Sequence, residues 1–356
     1  MRLGIIGLPQ SGKTTIYNAL TRGKTPVTAS AGRMEVHTGV VDVPDERVDK
    51  LSAMFKPRKT IYAKVTYADI AGLDGSSAKS GISGVLLNQL TQMDGFIHVV
   101  RCFSSDNVPH SLGSVDAARD LNLMDEEFML NDQIMVERKL EHLNEETHKG
   151  AGRDKAIIER EIQLFERLNQ TLQTAMPLRD LVLNEEEEKV MSGFGFLSRK
   201  PVLVVLNLAE GQAVPAIAYE HTASRVLALQ GKLEMDIAQL PPEEAEVFLK
   251  EYGIEEPSLN RMIALSYDLL GLQSFFTAGE DEVRAWTVRR GALAPEAAGV
   301  IHTDFQKGFI RAEVVAYTDL MALGSMAEAR SHGKLRLEGK AYVVQDGDIL
   351  EIRFNL

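Results

Sequence analysis

The chain begins with a short apolar run that leads directly into a glycine-rich loop. Arg2 to Leu8 is apolar after its first residue and contains two glycines, which is typical of a strand covered on both faces. Gly7 to Thr14 then matches the pattern G-x-x-x-x-G-K-[ST]. Such a loop wraps a di- or triphosphate with backbone N–H groups at a helix N-terminus. Because it needs a strand before it and a helix after it, this stretch restricts the fold to an α/β nucleotide-binding domain.

The helix that the loop requires is present in the sequence. Its apolar residues lie at spacings that give one side facing a sheet: Thr15, Ile16, Ala19 and Leu20. Within the loop, Lys13 is expected to neutralise the β- and γ-phosphates, and the Thr14 hydroxyl is expected to ligate magnesium. Nucleotide binding is therefore the first function that the sequence predicts.

Composition and charge exclude several other classes. The 356 residues suffice for two or three domains, and no apolar run has the length of a membrane span. Without a signal peptide pattern, we expect a cytoplasmic protein with no membrane association. The net charge is 39 − 51 = −12, which argues against broad binding to bare nucleic acid. A single cysteine, Cys102, excludes an internal disulfide.

A second nucleotide motif follows a predicted strand over Thr60 to Ile70. Asp69 ends this strand, and Gly72 follows three residues later. At this distance from a phosphate loop, the Asp is expected to reach the magnesium shell and the Gly amide to sense the γ-phosphate.

Leu73 occupies the position where Ras-like GTPases carry the Gln that orients the attacking water, and leucine cannot form a hydrogen bond. Hydrolysis is therefore expected to be slow unless another group positions the water. His110, in the loop after the predicted strand Phe96 to Phe103, is one candidate. The alternative is a solvated loop histidine without a catalytic role.

The predicted strand Pro201 to Leu208 ends in Asn-Leu-Ala-Glu, at the place where many GTPases carry N-K-x-D. The lysine that covers guanine is missing, and Glu210 is longer than the aspartate that binds the guanine edge. Leu208 offers only an apolar surface to a purine. These changes favour adenine; the alternatives are guanine or an ordinary strand–loop junction.

The rest of the chain predicts two additions to the nucleotide-binding domain, which we expect to span 1–118 and 201–275. Residues 119–200 carry apolar positions at three- and four-residue steps and predict two long antiparallel helices joined near 148–153. Residues 276–356 predict a compact α+β module. Its predicted strands are Val283–Val288, Ala312–Tyr317, Leu335–Glu338, Ala341–Val344 and Ile349–Phe354.

Five basic residues of the C-terminal module could form a local face for RNA or protein, although solvated surface charges are the default interpretation. They are Arg284, Arg289, Arg290, Lys307 and Arg311.

Taken together, the motifs resemble those of the YchF-type, Obg-like ATPase family, a TRAFAC class of P-loop NTPases. The shared stretches are GLPQSGKTT, DIAGL, VVRCF, NLAE and the long C-terminal run from AGEDEVRAWTVRRG to QDGDILEIRF. The resemblance covers essentially the whole chain. It implies a P-loop NTPase domain with an inserted antiparallel helical hairpin (a coiled coil) and a C-terminal TGS domain, which has a β-grasp fold.

The resemblance also implies site residues and partners. Magnesium would bind at Thr14 and Asp69, and His110 has the position of the family's suspected catalytic histidine. The family would place nucleotide contacts on Gln10, Ser11, Gly12, Lys13, Thr14, Thr15, Asn207, Leu208 and Glu210. Members hydrolyse ATP in preference to GTP and associate with ribosomes. We therefore expect the ribosome as a partner, with RNA contact through the TGS domain and the hairpin. We also expect the protein to be a monomer.

Two departures from the family pattern concern the switch segments. Arg33 falls where the family's first switch usually has a threonine that completes the magnesium shell. The stretch SAKSGISG, residues 77–84, replaces the family's glycine-rich G-E-G-L-G. The sequence therefore predicts a magnesium-dependent ATPase switch; a GTPase of the same class and a nucleotide-bound scaffold with negligible hydrolysis remain as alternatives.

Overall fold

The structure is a computed structural model, and it divides into two compact units. The first contains Met1–Gly39 and Thr66–Leu259, and the second contains Val40–Val65 and Asn260–Leu356. The described residues are 1–23, 36–70, 82, 84–149, 153–251, 254 and 256–355. Within them, no helix combines the length and the apolar character that crossing a bilayer requires.

Within the described residues, twelve strands and thirteen α-helices are numbered in chain order. The strands are β1 (Arg2–Ile6), β2 (Val36–Asp42), β3 (Lys59–Ile61), β4 (Lys64–Ile70), β5 (Gly95–Arg101), β6 (Val202–Asn207), β7 (Ser224–Leu229), β8 (Leu272–Ala278), β9 (Glu282–Arg289), β10 (Phe309–Ala316), β11 (Arg336–Glu338) and β12 (Asp348–Phe354). The helices are α1 (Lys13–Thr21), α2 (Glu46–Phe55), α3 (Gly84–Thr91), α4 (Ala117–Lys149), α5 (Lys155–Gln173), α6 (Glu185–Met191), α7 (Gly231–Gln239), α8 (Pro242–Glu251), α9 (Ser258–Leu269), α10 (Ala294–Ile301), α11 (Thr303–Lys307), α12 (Tyr317–Leu323) and α13 (Met326–Ser331).

One sheet has the strand order β2-β4-β1-β5-β6-β7. The pairs β1–β4, β1–β5, β5–β6 and β6–β7 are all parallel. Every residue of β5 and β6 is buried, as expected for central strands of a parallel sheet covered on both faces. The α/β class predicted from the sequence is confirmed. Because the strands are parallel, the carboxyl ends of β1, β4, β5 and β6 lie at one edge, where α/β sheets bind their ligands.

The insertion predicted over 119–200 contains two packed helices, α4 and α5. Arg153, two residues before α5, pairs with Glu146 near the end of α4, while Glu161 within α5 pairs with the earlier Lys139. The two helices are therefore antiparallel. Their apolar positions fill a separate core, whereas Met176, which follows the end of α5, is 41% exposed.

Polar side chains anchor the base of this hairpin. Arg179 donates to Asp125 at 2.8 Å, and Tyr219 donates to the same carboxylate at 2.7 Å. Asp132 accepts from the backbone N–H groups of Leu197 and Ser198 at 2.9 and 2.7 Å. Burial raises the pKa of Asp132 to about 6. The hairpin is thus fixed to the rest of the first unit by buried and partly buried hydrogen bonds as well as by apolar packing.

The second unit contains the other sheet, in the order β11-β10-β12-β8-β9-β3. Its strands confirm four of the five predicted for the C-terminal module. The strand predicted over Ala341–Val344 is wrong: Tyr342 O accepts from Ala294 N, and Val344 N donates to Ala292 O. These bonds tie the segment to the start of α10, and only an isolated bridge remains.

Val40–Val65 belongs to this second unit, whereas the sequence analysis assigned it to the nucleotide-binding domain. The physical reason is that β3 pairs in parallel with β9, with Lys59 opposite Glu282, and that α2 packs on the same sheet. Such non-local pairing has no signal in a single sequence. The TGS-like, β-grasp identity of this module stays a prediction.

Candidate functional site

The loop between β1 and α1 adopts a backbone that few side chains allow. Gly7 and Gly12 have φ angles of 144° and 99°, and Gln10 has φ 63°. A Cβ atom on Gly7 would lie 2.3 Å from the carbonyl oxygen of Val99. A Cβ on Gly12 would lie 2.2 Å from Nδ2 of Asn207. Both glycines of the predicted motif are therefore required for close approach as well as for conformation.

The start of α1 offers hydrogen-bond donors to an anion. The helix begins at Lys13, and its N-cap, Gly12, has no side chain to accept from the first turn. Ser11 is 2% exposed, and its Oγ has no hydrogen-bond partner among the described residues. The half-buried Thr14 and Thr15 follow in the first turn, and Gln10 is exposed beside it. A phosphate group fits this combination of N–H groups at a helix N-terminus, a buried hydroxyl and a glycine-containing loop.

Lys13 is turned toward the loop that precedes it. Its Nζ donates to the carbonyl oxygens of Gly7 and Leu8, each at 2.9 Å. Burial lowers the pKa of Lys13 to about 8, and the nearby Asp69 carboxylate opposes this shift. The ammonium group is thus enclosed without a direct ion pair in the described structure, so an incoming phosphate would supply its missing counter-charge.

Thr14 and Asp69 meet although 55 positions separate them in the chain. The Thr14 hydroxyl donates to Asp69 Oδ2 at 2.7 Å. Asp69 is 6% exposed near the end of β4, and its Cα is paired with Ile5 of β1. A hydroxyl and a carboxylate are hard oxygen ligands, and Mg²⁺ typically takes only one or two from the protein. The pair therefore fits a magnesium site, in which nucleotide oxygens and water would complete the coordination shell.

Asn207, predicted to contact the base, uses its side chain inside the protein. Its Nδ2 donates to the carbonyl oxygen of Ser11 at 2.9 Å, and its Oδ1 accepts from Gly231 N at 3.0 Å. It therefore joins the phosphate loop to the start of α7. Because both polar atoms of the Asn207 amide are already bonded within the protein, a base would contact neighbouring backbone and side-chain atoms more readily than this amide.

Leu208 and Glu210 have opposite environments. Leu208 is 7% exposed and belongs to the hydrophobic core of the first unit, so little of its side chain is left for a purine ring. Glu210 is exposed at a turn, and within the described residues it has no ion pair. Of the predicted base-binding residues, Glu210 therefore has the side chain that is most available to a ligand.

His110, a candidate catalytic residue, has both ring nitrogens engaged. Its Nε2 lies 2.8 Å from Asp120 Oδ2, and its Nδ1 accepts from Leu112 N at 3.1 Å. Because Nδ1 accepts, Nε2 carries the proton and donates to Asp120. Only 3% of the side chain is exposed. The catalytic role stays a prediction, and it would require the bond to Leu112 to open.

Some predicted switch residues lie outside the described residues. These are Arg33, Gly72, Leu73 and all of SAKSGISG except Ile82 and Gly84.

The structure does describe Cys102, which is buried in the core with a thiol pKa raised by burial to about 11.

The basic residues of the C-terminal module are only partly available. Arg284 stacks over the Trp286 ring at 3.8 Å, and Arg290 pairs with Asp268. Arg289 lies on β9 and Arg311 on β10, two strands that β12 and β8 separate in the sheet. Their placement does not by itself make one continuous RNA-binding face.

Sequence reasoning missed two residues beside the predicted base-binding stretch. Gly231 is one: a Cβ there would lie 2.8 Å from Asn207 Oδ1, so the close approach needs glycine. Gln212 is the other, since its side chain bonds to both Cys102 and Ala209. The available signals were a glycine shortly after the apolar run Val226–Leu229 and a glutamine just after Asn-Leu-Ala-Glu.

Comparison with protein-family models gives two matches. The family described as "50S ribosome-binding GTPase" matches residues 2–139. The YchF-GTPase C-terminal family, described as "Protein of unknown function (DUF933)", matches residues 272–355. The first match includes the phosphate loop and Asp69, and the second covers β8 to β12.

Individual relatives match over nearly the whole chain. The protein named "Ribosome-binding ATPase YchF" from Bacillus subtilis is 40% identical over 365 aligned positions, covering 99% of each chain. The protein of the same name from Pasteurella multocida is also 40% identical, covering 100% of this chain and 99% of its own. The "Structure of the Schizosaccharomyces pombe YchF GTPase" has a TM-score of 0.85 and 31% identity, covering 99% of this chain and 97% of that one.

These matches confirm the resemblance found in the motifs and the P-loop fold of the first unit. The matched regions span nearly the whole chain and so include the phosphate loop, the helical insertion and the C-terminal module. The chain belongs to the YchF family.

Proposed function

We propose that the chain is a magnesium-dependent molecular switch that binds and hydrolyses ATP, and that it works in association with the ribosome. The observation that carries the proposal is the 2.7 Å contact between Thr14 and Asp69 at the start of α1. It unites a hydroxyl and a carboxylate beside Lys13 and beside unpaired helix N–H groups. This is the donor set that P-loop NTPases use for phosphates and Mg²⁺.

Each residue of this set has a distinct role in the proposal. The Lys13 ammonium leaves the carbonyls of Gly7 and Leu8 to pair with the β- and γ-phosphates. Thr14 and Asp69 hold the cation, which when bound neutralises charge that develops on the transferred phosphoryl group. The N–H groups at the start of α1 orient the phosphates without needing to reorganise.

Adenine is the proposed base because the groups that select guanine are absent. Leu208 replaces the lysine that would cover the ring, and Glu210 places its carboxylate one methylene further from the backbone than aspartate does. The names of the relatives differ on this point, since the bacterial proteins are named ATPase and the fission yeast structure is titled GTPase. Base preference is therefore the part of the proposal that most needs measurement.

Association with the ribosome is supported by the relatives and by the "50S ribosome-binding GTPase" match. With a net charge of −12, contact with a ribonucleoprotein needs local surfaces rather than overall attraction. The TGS-like module and the α4–α5 hairpin are the proposed surfaces. A monomer in the cytoplasm is part of the same proposal.

Equilibrium binding of labelled ATP and GTP in the presence of Mg²⁺ tests the base preference. We expect ATP to bind more tightly, because Glu210 is mismatched to the guanine edge. Glu210→Asp shortens the acid and should shift the preference toward GTP. An affinity for GTP equal to or greater than that for ATP would contradict the adenine assignment.

Single-turnover hydrolysis with and without ribosomes tests the enzymatic part. We expect slow phosphate release that ribosomes accelerate, and loss of this acceleration in Lys13→Ala. A wild-type chain that binds ATP but releases no phosphate under either condition would instead be a nucleotide-bound scaffold.

A further inference from the structure

The turn that follows β6 is closed by a side chain that the proposed function has not used. Gln212 donates from Nε2 to the carbonyl oxygen of Cys102 at 2.7 Å. Its Oε1 accepts from the backbone N–H of Ala209 at 2.8 Å. One amide thus bridges the residue after β5 and the turn that contains Glu210.

The backbone of this turn is a tight reversal with Glu210 at its corner. Gln212 N donates to Ala209 O at 3.2 Å, which closes the four-residue turn. Gly211 has φ 69° at the third position, the left-handed conformation that glycine adopts most readily. The direction in which Glu210 leaves the backbone is therefore set by the geometry of the turn.

Gln212 also continues the hydrogen bonding between two parallel strands. Cys102 N donates to Asn207 O at 2.9 Å, a backbone bond between the ends of β5 and β6. The Gln212 amide then binds the carbonyl oxygen of the same Cys102. Because Asn207 is itself bonded to Ser11, the turn is held at a defined distance from the phosphate loop.

We infer that Gln212 is a positioning residue for base selection, acting by holding the Ala209–Gln212 turn so that Glu210 meets the edge of the base. The inference rests on the proposed adenine-nucleotide site. Selection by hydrogen bonding depends on polar groups held within about 0.5 Å of their productive position. Glu210 is exposed, so its own contacts do not supply that precision.

The phosphate end of the site does not depend on the Gln212 amide bridge. Lys13 bonds to Gly7 and Leu8, and Thr14 bonds to Asp69; none of these bonds involves the turn. Removing the amide bridge should therefore change the preference between bases and leave phosphate binding intact. General damage to the fold would weaken both.

The test uses the full chain with Gln212→Ala and Gln212→Asn. Alanine removes both bonds, and asparagine keeps the amide but is one methylene too short to span the two partners. Gln133→Ala, which removes one exposed bond to Glu137 on α4, is the matched control. For each protein, the dissociation constants for Mg-ATP, Mg-GTP and inorganic tripolyphosphate are measured together with the melting temperature.

We expect the ATP-to-GTP affinity ratio to fall by about fivefold or more in both Gln212 variants, the worth of about one hydrogen bond. Tripolyphosphate affinity should stay within about twofold of wild type. An unchanged ratio in folded variants, or a parallel loss of tripolyphosphate affinity, would overturn the inference. If wild type itself shows no preference for ATP, the proposed function fails, and base selection by Gln212 fails with it.

Discussion

The phosphate end and the base end of the proposed nucleotide site are constructed in different ways. Among the described residues, the continuous stretch Gly7 to Thr14 supplies most of the phosphate end, and Asp69 joins it from β4. The base end combines the residues that follow three strands, β5, β6 and β7. Their connections are the bonds of Cys102 to Gln212 and of Asn207 to Gly231.

This difference predicts two kinds of effect of mutations on nucleotide affinity. At the phosphate end, the geometry comes from backbone conformation and from the direction of α1, so a change there should affect every nucleotide equally. At the base end, side-chain amides fix one loop against another, so a change there should alter the ratio between nucleotides. Asn207 is bonded to both ends and should affect both.

The largest expected effect is that of Lys13→Ala. Loss of the charge-assisted bonds to phosphate should weaken ATP and GTP binding by at least about 100-fold, or about 3 kcal/mol. Because the ammonium contacts phosphate rather than base, the ratio of the two affinities should not change. Isothermal titration with both nucleotides measures the two constants.

Lys155→Ala is the matched control for Lys13→Ala. Lys155 is exposed on α5, where it forms a weak surface pair with Glu159 at 3.7 Å. Removing this positive charge should leave both affinities unchanged. If Lys13→Ala changed the ATP-to-GTP ratio by more than about twofold, the two ends would not be separable in the way the contacts indicate.

Asn207→Ala tests the residue that links the two ends. It leaves Ser11 O and Gly231 N without their side-chain partner, which should lower the free energy of unfolding by about 2 kcal/mol. Nucleotide affinity and base preference should both fall. Denaturant unfolding and nucleotide binding are compared with Asn88→Ala, an exposed asparagine on α3. A variant that lost base preference alone would show that Asn207 belongs only to the base end.

The pH dependence of ATP affinity gives a smaller effect, which again belongs to the phosphate end. Without nucleotide, the Lys13 pKa is about 8, so the neutral amine predominates above that pH. Bound phosphates favour the ammonium form, and ATP binding must then take up a proton. Affinity should therefore fall as pH rises above 8, by at most about tenfold per pH unit.

Calorimetry in buffers of different ionisation enthalpy measures this proton uptake directly. It should approach about one proton per ATP at pH 9 and about zero at pH 6.5. Lys13→Ala should abolish the uptake at pH 9. Uptake that persists in that variant would assign the proton to another group.

The contrast also explains which features the sequence could predict. The phosphate loop is recognisable because its chemistry fits into eight consecutive residues and needs glycine at two of them. Asp69 could be predicted because it ends a strand at a suitable distance from the loop. The resemblance to YchF proteins then extended the prediction to the whole chain.

The features that could not be predicted depend on non-local contacts. Gln212 is one glutamine among many until the structure places it beside Cys102, 110 positions earlier. The segment Val40–Val65 pairs with β9, more than 200 residues downstream, although it lies between two parts of the first unit. No local periodicity encodes either partner.

His110 lies outside both ends, and its substitution is the smallest expected effect. His110→Asn removes the bond to Asp120, but that carboxylate keeps two bonds from Arg119. The shorter amide can still accept from Leu112. We expect a loss of about 1 kcal/mol in unfolding free energy and single-turnover hydrolysis within about threefold of wild type.

The matched control is His142→Asn, at an exposed position on α4. A fall of about 30-fold or more in hydrolysis by His110→Asn, with stability unchanged, would place the imidazole in the reaction. It would also mean that the bond to Leu112 opens when ATP binds, because His110 cannot accept a proton at Nδ1 while that nitrogen is occupied. The experiment therefore decides between a histidine that closes a surface loop and one that the nucleotide releases for catalysis.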